Sequence, residues 1–182
     1  MPALPAWADV FSGAGRFMAM DEGAWRRHAN PWSAYTRIAI LPLLALAVWS
    51  RVWIGWWCLL PVAALLVWTW ANPRAFPPPR TYDAWASRAV LGERLFLDRL
   101  GRRRRGRALP AHHVRAGQVL TGIAASGLPP LAYGLWTLSL GWTLLGLALT
   151  VGGKLWFCDR MAWLHDEAAA VPEGVRTRPL GL

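Results

Sequence analysis

From Tyr35 to Trp70 the chain is almost unbroken apolar, with Arg37 near the start of the run and Arg51 at its middle. As a single helix this run would reach about 54 Å, far more than the roughly 30 Å of a bilayer's hydrocarbon core. It must fold back on itself. Ser50 and Arg51, ringed by Trp49, Trp53, Trp56 and Trp57, mark the turn, which gives spans over roughly residues 35 to 50 and 53 to 71. Arg37 lies one turn inside the first span, close enough to the inner headgroups to snorkel to them.

A second apolar block from Ala116 to Trp163 has the same problem and the same solution. A turn near Ser139 to Gly141 divides it into spans of roughly 115 to 138 and 141 to 160. Ser126, Gly127, Pro129 and Pro130 predict a kink in the first of these, and Gly146, Ala148, Gly152 and Gly153 predict close helix contact in the second. Composition agrees. Hydrophobic residues make up 55% of the chain and charged residues 16%, the mean hydropathy is +0.25, and 14 Trp suit the bilayer interface.

Between the two blocks, residues 72 to 114 form a basic loop; with Arg115 at its edge it carries eleven of the twenty basic residues. Arg-rich loops beside apolar spans stay in the cytoplasm, which puts this loop and both termini inside. Pro73 and Pro77 to Pro79 enforce an extended exit from the second span, and Asp83 is a candidate N-cap. Residues 84 to 100 then read as an amphipathic helix with Trp85, Ala89, Gly92, Phe96 and Leu100 on one stripe, suited to lying along the membrane or against the spans. Residues 1 to 34 form an N-terminal cytoplasmic segment with a short interfacial helix over 5 to 20 and no cleavable signal pattern. Residues 161 to 182 read as a trailing cytoplasmic tail. The fold class is therefore all-α: a polytopic membrane protein of four transmembrane helices in two helical hairpins, plus an interfacial amphipathic helix.

Residues 41 to 50, LPLLALAVWS, match residues 128 to 137, LPPLAYGLWT, at Leu, Pro, Leu, Ala and Trp positions, and later Gly55-Trp56 meets Gly141-Trp142. A duplicated hairpin and chance matches among abundant Leu and Trp explain this about equally well. Cys58 and Cys158 fall near opposite faces, too far apart to be bridged.

All four histidines, His28, His112, His113 and His165, collect at the inner interface with Asp159, beside Glu93, Asp166 and Glu167. Imidazole with carboxylate suits a transition metal or acid-base chemistry, although the His spacing does not match the His-rich di-iron membrane enzymes. Hydrogen bonding of these groups to headgroups and loop backbone is the plainer reading, by roughly four to one. Arg74, Lys154 and Arg160, with the run Arg102, Arg103, Arg104 and Arg105, form a candidate anion or headgroup site. Nucleic acid is disfavoured because no aromatic platform accompanies the basic run.

The phrases HANPWS, WANPRAFPPP, WASRAVLGER and GKLWFCDRM, with the AHH step, resemble an uncharacterised family of small Trp-rich prokaryotic integral membrane proteins over about residues 25 to 165. The resemblance implies an integral membrane protein and assigns no catalytic residue. Together these features predict a multi-pass protein of the inner (cytoplasmic) membrane, acting as a non-enzymatic accessory or scaffold that binds lipid, a membrane-complex partner or another copy of itself. The alternative is a small enzyme with a His/carboxylate site at the cytoplasmic interface.

Overall fold

The computed structural model describes residues 22–101 and 109–170, and no strand occurs among them. The helices are α1 (Glu22–His28), α2 (Pro31–Trp49), α3 (Arg51–Ile54), a 3-10 turn (Gly55–Cys58), α4 (Leu59–Ala75), α5 (Trp85–Gly101), α6 (Ala111–Ser126), α7 (Leu128–Thr137) and α8 (Leu140–Ala170). The helix expected over 5 to 20, Arg102 to Arg105 and the end of the tail lie outside the described residues.

Asn30 is extended, and its side-chain oxygen accepts from the Trp32 N–H at 2.9 Å, while Pro31 fills the first helical position, whose amide would be unpaired in any case. α2 then runs to Trp49 and the chain reverses. The turn is longer than expected, covering 50 to 58, and α4 starts at Leu59 rather than 53. Pro61 falls in the first turn of α4, where its missing N–H breaks no helical bond, whereas Pro42 lies inside α2 and Pro73 inside α4, so Pro73 is helical and the extended exit begins only after it. Gly55, with φ +56°, supplies the positive backbone angle that ends α3. α2 and α4 pack side by side, and Ser33 near the start of α2 bonds Asn72 near the end of α4, so the pair is an antiparallel hairpin.

The second hairpin is built along α8, whose 31 residues span about 46 Å. A Cβ on Gly153 would meet the Ala124 backbone at 2.7 Å, one on Gly127 would meet the Thr150 amide at 2.7 Å, one on Gly146 would meet the Leu131 amide at 2.4 Å, and one on Gly134 would meet the Thr143 amide at 2.4 Å. Each step up α6 and α7 is matched by an equal step down α8. The antiparallel register therefore passes unbroken through the expected kink, where α6 ends at Ser126 and α7 starts with Pro129 and Pro130 in its first turn. Of the four small residues expected to permit close contact in the last span, Gly146 and Gly153 do so, while a Cβ on Gly152 would meet nothing.

Two stretches, Pro31–Ala75 and Leu140–Ala170, are long and apolar enough to cross a membrane. α6 and α7, at 16 and 10 residues, are each shorter than a span because Gly127 divides them. One expectation is corrected: residues 161 to 170 are not a trailing tail. α8 continues through Ala170 and buries Met161, Ala162 and Leu164. Against this extension lies α5, the helix expected over 84 to 100, packed on α8 through Gly92 and Phe96. Phe96, Leu120, Phe157, Met161 and Leu164 form the core there. The repeat's first segment ends at the 50–58 turn and its second at Leu138, both reversals. Gly55 is a turn residue and Gly141 is helical, so the matched register does not carry over into matched backbone.

The closest approach is α5 to α8, where a Cβ on Gly92 would sit 1.8 Å from the Met161 carbonyl oxygen. Gly92→Ala should therefore part the two helices and destabilise the detergent-purified protein by about 1–3 kcal/mol. Gly122→Ala, where nothing lies within 4 Å, should leave the melting temperature unchanged or raise it. Equal melting curves for wild type and Gly92→Ala would refute this packing.

Candidate functional site

Polar groups from four sequence-distant segments meet at one end of the bundle. Ser33 and Asn72 are fully buried, and a buried amide must have its hydrogen bonds met. Asn72 accepts from Ser33 Oγ at 2.8 Å and donates to Thr36 Oγ1 at 2.8 Å, and Thr36 in turn donates to the Trp32 carbonyl at 2.7 Å. Asn30 donates to the Pro77 carbonyl at 2.9 Å, so the extended Pro-rich exit from α4 is held against the cap of α2. Ser87, also fully buried, donates to the Ala29 carbonyl at 2.7 Å and brings α5 onto the same knot. The two Asn-Pro steps, Asn30-Pro31 and Asn72-Pro73, are thus two sides of one joint.

Ion pairs extend the network to α8. Lys154 donates to Glu93 at 2.8 Å and lies 4.7 Å from the Phe157 ring. Trp85 Nε1 donates to Asp159 at 3.2 Å, and Arg88 pairs with Asp166 at 2.7 Å. Arg37 donates to His28 Nδ1 and also reaches Ser33 Oγ at 3.4 Å. Burial first, then the positive charges of Arg37 and Lys154, push His28 down to about 3. The imidazole is neutral and acts as an acceptor.

The histidines grouped from the sequence are divided among separate contacts. His28 belongs to Arg37, Asp159 to Trp85, and His165 to its neighbour Asp166 at 3.3 Å. His112 and His113, in the first turn of α6, come together with Glu167 near the end of α8. His113 Nε2 lies 2.9 Å and His112 Nε2 3.9 Å from the carboxylate oxygens, and one ligand atom from each of the three residues falls within 4.8 Å of the others. The His113 side chain is fully buried and its Nδ1 has no hydrogen-bond partner among the described residues. Trp163 flanks both rings, 6.0 Å from His113 and 6.4 Å from His112.

The basic residues also separate. Lys154 is committed to Glu93, Arg74 lies over Trp70 and Arg160 over Trp163, each at 4.7 Å, and Arg102 to Arg105 lie outside the described residues. Sequence reasoning places Glu167 beside the histidines without counting it among the candidate ligands, and leaves Ser33, Asn72 and Ser87 out of the site. For Asn72 a signal was present, since it repeats the Asn-Pro step that caps α2. Glu167 is placed in the cluster by the sequence, but its pairing with His112 and His113 depends on α8 continuing past residue 160.

The His28 environment makes stability depend on pH. An unfolded chain takes up a proton at His28 near pH 6.5, whereas the folded chain resists it down to about pH 3. The contribution is therefore complete above pH 6.5 and lost as pH falls through that window, by at most about 1.4 kcal/mol per pH unit. Thermal melts in detergent between pH 7.5 and 4 should show this slope, and His28→Gln should flatten it. An identical slope in the variant would refute the assignment.

No curated protein and no solved structure matches the chain. One family model does, described as a family of unknown function (DUF6653), and it covers residues 12–179, wider at both ends than the 25 to 165 expected from the shared phrases. All four phrases and the AHH step lie at the polar end, in α1, α2, α4, α5, α6 and α8 and the exit from α4. The match extends over nearly the whole sequence, so the chain belongs to the DUF6653 family.

Proposed function

We propose that this chain is a four-span integral membrane protein of the cytoplasmic membrane, with both termini and the basic loop inside. In this reading it serves as a non-enzymatic accessory or scaffold whose rigid polar end engages anionic headgroups or a partner in a membrane complex. The observation that carries it is the segregation of charge. Between Arg37 and Arg74 the sole charge is Arg51, and between Arg115 and Lys154 there is none. Over those same stretches the large apolar side chains face outward: Trp56 and Trp136 are each 81% exposed, with Leu46, Leu60, Leu66, Val67, Leu144 and others beside them. Of the most apolar window in Pro31–Ala75, 17% is buried, and in Leu140–Ala170, 22%. A soluble core helix would have those proportions reversed, whereas lipid covers such a surface without cost.

Packing along α8 supports the same reading. Its contact stripe is Thr143, Gly146, Thr150 and Gly153 in the first half and Phe157, Met161 and Leu164 in the second. Small residues that let backbones touch suit lipid, where there is no hydrophobic drive between helices, and large apolar residues suit water, where there is. Arg74 over Trp70 and Arg160 over Trp163 fit the headgroup level, each holding a guanidinium beside an interfacial ring. The accessory role rests on the ion pairs and hydrogen bonds that the polar end makes with itself, which favour a fixed surface over a reactive cleft.

Single-cysteine variants in a background lacking Cys58 and Cys158 test the topology. Trp56→Cys and Ser139→Cys should react with a membrane-impermeant thiol reagent in intact spheroplasts, and Arg80→Cys only after lysis. Labelling of position 80 from outside, or carbonate extraction of the protein into the soluble fraction, would overturn the reading. For the headgroup role, native mass spectrometry should show phosphatidylglycerol retained by the wild type and retained several-fold less by Arg74→Gln/Arg160→Gln. Equal retention would remove those two residues from the lipid site.

A further inference from the structure

We infer that His112, His113 and Glu167 form a binding site for one divalent first-row transition-metal ion, tying the first turn of α6 to the last turns of α8. Two imidazoles and one carboxylate are a donor set for zinc, iron(II), manganese, cobalt or nickel rather than for calcium or magnesium, which take all-oxygen sites. The three ligand atoms already lie within 4.8 Å of one another. Ligand atoms on one tetrahedral ion at about 2.1 Å each lie about 3.4 Å apart, so closing the set asks for a shift of up to about 1.4 Å, within the reach of side-chain rotation at the partly exposed His112 and Glu167.

The surroundings hold that set in place. His113 is locked by complete burial and by the edge of Trp163, and the ring of His112 lies 4.2 Å from that of His113. A buried imidazole has two ring nitrogens to satisfy, and the described residues satisfy one, through Glu167, while Nδ1 stays without a partner. Nε2, the nitrogen that faces Glu167, is the atom placed to bind an ion, which would take the position of that hydrogen bond and leave the ring proton on Nδ1. His112 and Glu167 are partly exposed, at 59% and 38% of their side chains, which gives the ion a way in and leaves coordination positions to water. The site excludes His28, His165 and Asp159, each of which is held elsewhere.

The test uses the full-length protein in detergent, purified through a tag without histidine and stripped with chelator, then titrated with cobalt(II) followed by zinc(II). One equivalent of cobalt should bind with visible d–d bands, zinc should displace it, and zinc should raise the melting temperature, because an ion that binds only the folded state stabilises it. His112→Ala and Glu167→Gln change partly exposed side chains outside the apolar core, and each should lower ion affinity at least tenfold. His165→Ala should bind as wild type does. Absence of binding to the wild type, binding undiminished in both site variants, or loss of binding in His165→Ala would overturn the site. None of these results bears on the membrane topology or the accessory role, which the cysteine and lipid measurements decide separately.

Discussion

The second half of the fold depends on how closely its neighbours approach α8. α5, α6 and α7 all lie on that one helix, and the distances are set by residues without side chains: Gly92 at the Met161 carbonyl, Gly146 at Leu131, Gly153 at Ala124. Dispersion falls steeply with separation, so bringing two backbones together along a whole interface adds a large attraction even though each atom pair contributes about 0.1–0.2 kcal/mol. The price is intolerance. No larger residue fits at these positions without moving a backbone, so the geometry of three helices is fixed by a few absent atoms.

The first hairpin is joined to this half in a different way. Its polar end is tied by buried hydrogen bonds among Ser33, Thr36, Asn72, Asn30 and Ser87, which demand partners at defined distances and so specify one arrangement of α2, α4 and α5. Apolar surfaces alone would let the hairpin slide or rotate on α8. A half-satisfied network of this kind would be worse than none, and here every amide and hydroxyl of these five residues has a partner.

Much of this was legible from residues. Each apolar run reads as folding back on itself, and α2 and α4 do fold back on each other around Arg51. What escaped was where helices end when polar residues continue them. Asp159, Arg160, Asp166 and Glu167 read as the end of a span, yet α8 goes on because those side chains pair outward with Trp85, Trp163, Arg88 and the His112–His113 step while Phe157, Met161 and Leu164 face inward. The four histidines are divided among separate contacts for a related reason. Nearness to one face of a bundle follows from topology, but contact follows from which helix packs on which, and that is decided by Gly92 and Gly153 rather than by the histidines.

At the opposite end from the polar network, Arg51 donates to the carbonyl oxygens of Leu135 at 2.9 Å and Trp136 at 2.5 Å, where α7 ends with unpaired acceptors and the negative pole of its dipole. In the proposed topology this cation is carried outward against an inside-negative potential, at about 2.3 kcal/mol per 100 mV. Its acceptors are synthesised more than eighty residues later, so in that topology the charge would wait on the far side until α7 had crossed. Arg51 would then be a latch that closes only once both hairpins are inserted, giving assembly a direction in which the far end is completed before the last helix returns.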